Sequence, residues 1–281
     1  MMIDPLLSDQ ALIDDQHSVV ADESTFHLWW LGQSGFLVKW MGHSMIFDPY
    51  LSDSLTRKYA LTDKPHVRMT KRVVDPHWLT GISVATSTHN HTDHLDAETL
   101  LALTTANPGL QLIVPTANVA FANGRLGPMG PDLVPVDSGD AVEVGPWTFH
   151  GITAAHNEVE HDPSGHSKYL GYLLKFGDFS VYHSGDTLWH EGLVGELRRH
   201  GPVDLALLPI NGNHPERRVA GNLNGVEAAS LAKAIGAGRV VPSHYNMFEF
   251  NTETPDAFIA TCEALQQAHT VMQCGERLTV T

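Results

Sequence analysis

Cysteine is nearly absent: Cys262 and Cys274 are the only two in 281 residues. Two scattered thiols exclude a disulfide framework and a thiolate metal cluster, and read as ordinary half-buried side chains. Long hydrophobic runs are missing too. No stretch approaches the roughly 18–20 apolar residues of a membrane span. The N-terminus lacks the basic start of a signal peptide, because no Lys or Arg occurs before Lys39. A soluble, cytoplasmic protein without a membrane partner is expected. Positive charge is scarce overall, with 17 Lys and Arg against 32 Asp and Glu, a net −15. Nucleic-acid binding needs a positive footprint, so no nucleic-acid partner is expected. One region runs the other way. Residues 51–80 hold Arg57, Lys58, Lys64, Arg68, Lys71 and Arg72 against Asp53, Asp63 and Asp75. That stretch is either a solvated loop or a local anion-binding wall.

What the chain has in excess is histidine, 18 in all. Imidazole is the commonest metal ligand and the usual acid–base group near neutral pH, so position has to decide its use.

Residues 1–24 form an acidic N-terminal extension. From residue 25 onward the pattern is strand-like first, then strands alternating with helices, and this happens twice. Strands are predicted at 26–31, 35–40, 44–50, 81–88, 110–115, 132–136, 141–144 and 147–153. "KYLGYLLKF" and "FSVYHSGD" form a hairpin turning at Gly177–Asp178. Further strands are predicted at 204–210 and 239–245 and in the closing "ERLTVT". Helices are predicted at 96–107 (with Asp96 as N-cap), 189–199, 224–237 and 254–268, and a short one in "TANVAFANG" with a glycine stop. No linker divides residues 25–281, so one domain is expected. Two sheets packed face to face with helices outside, a four-layer αββα sandwich of mixed α/β class, satisfy the layer rules.

The strand at 81–88 runs straight into "HNHTDH", which packs His89, His91, Asp93 and His94 into six residues. A rigid strand ending in an exposed loop is a good mount for reactive ligands. Alternate residues of an extended chain point the same way, so His89 and His91 can share one ion. Asp93 and His94 follow in a turn and can reach a second.

The HxHxDH pattern after a strand resembles the signature of the metallo-β-lactamase superfamily, and the resemblance extends over about residues 25–281. It implies further site residues: Asp48 in "IFDPYL", His156 in "ITAAH", Asp186 in "YHSGDT" as a bridging carboxylate, and His244 in "VVPSHY". The words "WWLGQSGFLVKW", "YHSGDT" and "VVPSHYNMF" look like the branch containing the L-ascorbate-6-phosphate lactonases. Thr92 fits that branch, since tRNA-processing and glyoxalase members typically carry glycine there. The expected metal ligands are therefore His89, His91, Asp93, His94, His156, Asp186 and His244. His161 and His166 are rivals for the place of His156.

Imidazole and carboxylate ligands without thiolate suit one or two divalent ions of zinc, manganese or iron. Such ions lower the pKa of bound water from ~15.7 toward ~7, and Asp93 is the expected proton acceptor. Asp48 is expected to orient a ligand rather than bind metal. His183 is either a buried hydrogen-bond partner or a donor in the site. Tyr245 and Asn246 lie beside His244 in sequence and could line the pocket. Asn211, in a Gly/Asn-rich loop, and Arg68 could reach substrate. Trp29 and Trp30 read as core.

The expected function is hydrolysis of a small polar ester or lactone, polar or anionic and perhaps phosphorylated in keeping with the basic stretch. One alternative is a phosphodiesterase acting on a nucleotide or phospholipid-type substrate. Another is a metal-binding module without turnover. Redox members of the fold carry HxExD, and His91 argues against that chemistry. A homo-oligomer is compatible with the branch.

Overall fold

The computed structural model describes residues 2–281. In chain order the first half gives α1 (Asp9–Ser18), β1 (Phe26–Gly32), β2 (Gly35–Trp40), β3 (His43–Phe47), α2 (Ser54–Tyr59), β4 (Ile82–Thr86), α3 (Ala97–Ala106), β5 (Gln111–Pro115), α4 (Val119–Leu126) and β6 (Asp132–Val136). The second half gives β7 (Ala141–Val144), β8 (Trp147–Thr153), β9 (Leu170–Phe176), β10 (Phe179–His183), α5 (Leu193–Arg199), β11 (Leu205–Pro209), α6 (Gly225–Ile235), β12 (Arg239–Ser243), α7 (Asp256–Leu265) and β13 (Arg277–Val280).

The strands form two sheets, ordered β13-β1-β2-β3-β4-β5-β6 and β12-β11-β10-β9-β8-β7. Aromatic side chains interlock them: Phe26 of β1 meets Phe176 of β9 edge-on at 5.2 Å, and Phe47 stacks on His183 at 4.8 Å. Helix α4 packs on β5 of the first sheet with α3 beside it, and α5 and α6 pack on the second sheet with α7 against α6. This is the expected four-layer αββα sandwich.

Local chemistry sets the element ends. Asp96 caps α3 by accepting from Thr99 N, and Asn224 with Glu227 forms a full capping box on α6. Gly236 then stops α6 in the left-handed region. The sequence expectation differs at Gly124, which does not end its helix. α4 runs through it to Leu126 and stops at Gly127, where φ is +65°.

The acidic N-terminal segment is the larger surprise. Strand β1 alternates, so Trp29 faces away from the second sheet. Helix α1 covers it: Asp15 Oδ2 accepts from Trp29 Nε1 at 2.8 Å, and Leu12 and Ile13 join the common core. Helix α1 of that segment thus contributes to the packed body. Among the described residues no helix is long and apolar enough to cross a membrane.

Strand direction explains where a site can form. β3 and β4 are parallel; β10, β11 and β12 are parallel, and β8 runs the same way as β10 through the antiparallel β9. The chain therefore leaves β3, β4, β8, β10 and β12 at carboxyl ends, just before Asp48, His89, His156, Asp186 and His244.

Candidate metal centre

These five strand ends converge on one cleft of about 460 Å³. Three groups of ligand atoms lie within 4.8 Å of one another: His89, His91 and His156; Asp93, His94 and His244; and His89, His94 and Asp186. The Asp186 carboxylate sits between the first two groups. Its Oδ2 is 3.7 Å from His156 Nε2 and 3.4 Å from His244 Nε2, and its Oδ1 is 3.4 Å from His94 Nε2. Asp93 Oδ2 lies 3.7 Å from His94 Nε2 and 3.6 Å from His244 Nε2. All seven sequence-predicted ligands are thus brought together. His161 and His166 stay outside, on the loop where His166 faces Asp162.

Hydrogen bonds fix which nitrogen three of the five rings turn inward. A carboxylate only accepts, so His94 Nδ1 carries the proton it gives to Asp48 Oδ2 at 2.7 Å. His156 Nδ1 donates to Gly221 O at 3.0 Å. The Thr88 hydroxyl donates to Asp48 Oδ2, so it can accept from His89 Nδ1 at 3.2 Å. In each ring the Nε2 lone pair is left for the centre. Three buried atoms there have no hydrogen-bond partner: His89 Nε2, His94 Nε2 and Asp186 Oδ1. Unpaired buried polar atoms are costly, and a bound cation would satisfy all three. The residues therefore fit a divalent ion.

Charge divides the cluster. Burial, with the neighbouring imidazoles, holds His89 well below the usual histidine range, and burial pushes His156 down to about 4. Burial also opposes charge on His94 and His244. There the Asp186 and Asp93 carboxylates outweigh it, raising His94 well above its usual value and His244 to about 9. Neutral nitrogens thus collect on one side and a strong attraction for positive charge on the other.

Asp48 acts as the hub behind the ligands. Fully buried, it accepts from Thr86 Oγ1 at 2.7 Å, from Thr88 N and Oγ1, and from His94. Gly185 is required beside it, because a Cβ at this φ of +58° would fall 2.6 Å from Thr88 Cβ. His183 is a buried hydrogen-bond partner, not a donor in the cleft: its Nε2 donates to Ser34 O at 2.8 Å and its Nδ1 accepts from Gly185 N.

Four expected cleft contacts do not line the cleft. Arg68 is buried behind it, giving its hydrogens to Asp53, Thr70 O and Ser52 O. Tyr245 stacks on Trp30 at 4.5 Å and donates to Met272 O. Asn246 gives its backbone to Thr70 and Thr252. Asn211 lies beneath, donating to Asn251, which does line the cleft. Of the two readings of residues 51–80, a solvated loop or an anion-binding wall, the wall is not formed among the described residues. Arg57 pairs with Glu98, Lys71 with Asp4 and Arg72 with Asp75, and only Lys58 of that group reaches the cleft.

One important residue carried no sequence signal. Gln33 donates from Nε2 to Asp93 Oδ2 at 2.8 Å and lies 2.9 Å from His244 Nε2. Its backbone oxygen accepts from His244 N at 3.0 Å. Gln33, Asp48 and His244 all have positive φ, 51°, 34° and 61°. Left-handed backbone at non-glycine residues costs roughly 1–3 kcal/mol each and persists where surrounding contacts enforce it.

The fold and the histidine–carboxylate cluster together define a metallohydrolase of the metallo-β-lactamase type. Residues 43–245 match the beta-lactamase superfamily domain. A UPF0173 metal-dependent hydrolase of Rubrobacter xylanophilus is 30% identical over 84% of this chain and 89% of its own. Another from Desulforamulus reducens is 29% identical over 90% of this chain and 99% of its own. The structure is similar to Igni18, a metallo hydrolase of Ignicoccus hospitalis, with a TM-score of 0.67, 20% identity and coverage of 92% and 99%. The chain belongs to the beta-lactamase superfamily, among the UPF0173 metal-dependent hydrolases, and is a metal-dependent hydrolase.

Proposed function

We propose that the chain hydrolyses a small carboxylic ester or lactone, in the manner of the lactonase-like branch, with His89, His91 and His156 holding one divalent ion and Asp93, His94 and His244 a second. Asp186, whose carboxylate sits between the two groups, would serve both. The observation carrying this reading is the convergence of His89 Nε2, His94 Nε2 and Asp186 Oδ1, buried and without hydrogen-bond partners, with Asp186 lining the cleft and the two rings behind its lining. Nitrogen and carboxylate donors without sulfur favour zinc, manganese or iron.

The ions supply Lewis acidity toward the substrate carbonyl and a water acidic enough to attack near neutral pH. The remaining work belongs to the chain. Asp93 accepts the proton of the attacking water, and the Gln33 amide holds its Oδ2 in place. Asp48 and Gly221 O fix the His94 and His156 rings with Nε2 inward.

The test is to strip the protein with chelator, reload it with zinc, manganese or ferrous ion, and assay a lactone and ester panel beside bis(p-nitrophenyl) phosphate. Metal-dependent ester or lactone turnover, lost in Asp93→Asn, is expected. Phosphodiester turnover without ester turnover would replace this reading with the phosphodiesterase one.

A further inference from the structure

Two cations line the cleft, Lys58 and Arg125. Lys58 is exposed at its edge. Arg125, on α4, is half-buried and differently placed. Its Nη1 donates to Asn90 O at 2.8 Å and to Leu95 O at 3.2 Å, the two flanks of the His91–His94 turn. Its guanidinium lies 4.4 Å over the Phe121 ring. Among the described residues it has no carboxylate partner, and no hydrogen bond uses Nε or Nη2. So one end of the fork is fastened, one face is stacked, and three N–H groups on the other edge remain.

A guanidinium edge of that kind matches a carboxylate or phosphate with two parallel hydrogen bonds. Fastening it beforehand removes most of the ordering cost of binding. Partial burial with no carboxylate in contact, Asp96 acting on it only at a distance, also favours an incoming anion. One part of the remaining lining is aromatic. His66 stacks on Tyr59 at 4.2 Å and meets Phe250 edge-on at 4.5 Å, and all three line the cleft. We propose that Arg125 recognises an anionic group of the substrate, a carboxylate or phosphate, while an apolar or aryl body rests on the Tyr59–His66–Phe250 wall. This deepens the ester-hydrolase reading of the same cleft and rests on it for turnover.

The test compares the metal-loaded wild type with Arg125→Gln on a neutral ester, 4-nitrophenyl acetate, and an anionic one, mono(4-nitrophenyl) glutarate. The ratio of the two kcat/KM values should fall by roughly 10–100-fold in the variant, through KM for the anionic ester. Arg125→Lys, which keeps a donor for the loop carbonyls, should recover part of the loss. If Arg125 only braces the loop, both esters lose equally and the ratio stays fixed, which overturns the proposal. Binding gives a readout independent of turnover. Calorimetry with phenylacetate, phenyl phosphate and neutral phenylacetamide should show about a tenfold weaker Kd in Arg125→Gln for one anion and no change for the amide. The anion affected identifies carboxylate or phosphate. Unchanged affinity for both anions refutes the recognition role. A shift in anion affinity without ester turnover would keep that role and sink the ester-hydrolase reading instead.

Discussion

Asp48→Asn replaces one buried oxygen with an NH2 and leaves the shape almost unchanged. In the native site four donors converge on the carboxylate: Thr86 Oγ1, Thr88 N, Thr88 Oγ1 and His94 Nδ1. Asparagine can keep its oxygen toward Thr86 and Thr88 N. Its NH2 then faces the Thr88 hydroxyl and the His94 Nδ1–H. The hydroxyl can rotate to accept, but His94 cannot keep a proton on Nδ1 against an N–H. Its ring must move that proton to Nε2, so that an N–H rather than a lone pair faces the centre. Losing such an outer partner typically costs 10–100-fold in metal affinity, equivalent to ~1.4–2.8 kcal/mol. Competition with a chromophoric chelator measures the affinity, and urea unfolding of the chelator-stripped protein checks the fold. A folded Asp48→Asn protein whose metal affinity stays within about threefold of wild type would refute the tautomer argument.

Three further outcomes follow from the geometry. His156→Ala should lose metal stoichiometry measured by elemental analysis, whereas His161→Ala and His166→Ala should keep it; the reverse would move the ligand onto the 157–167 loop. Leu12→Ala, at a fully buried position of α1, should cost roughly 2–4 kcal/mol in denaturant unfolding, and an unchanged midpoint would show that α1 does not share the core. Arg68→Met should destabilise by about 1–3 kcal/mol, because Ser52 O and Thr70 O lose a donor, yet leave KM for an anionic ester unaltered; a raised KM would put Arg68 back in the cleft.

The sequence was most informative where chemistry is dense and local. HNHTDH announces itself because ligand-type side chains crowd a strand end, and the β-rich patterns around it set the order of layers. Legibility fails where the signal is uncharged or scattered. Gln33 is an amide inside "LGQSG" and offers no ligand pattern, although it touches both Asp93 and His244. Tyr245 and Asn246 adjoin a site residue in sequence but not in the cleft. The left-handed backbone at His244 and Asn246 turns the chain, and the Tyr245 ring goes into the core against Trp30. Helix α1 hides its purpose, since only Leu12 and Ile13 stand out among acidic neighbours. Its role appears only once β1 presents Trp29 on the uncovered face. The aromatic wall joins Tyr59 and His66 to Phe250, nearly two hundred positions later in the chain.

The proposed ligands divide between the halves of the chain. His89, His91, Asp93 and His94 belong to the first sheet's segment, and His156, Asp186 and His244 to the second's. A chain still emerging from the ribosome can therefore offer a metal only part of its seat. Neither sheet's segment holds the full set, so the proposed centre is complete only where the two sheets meet.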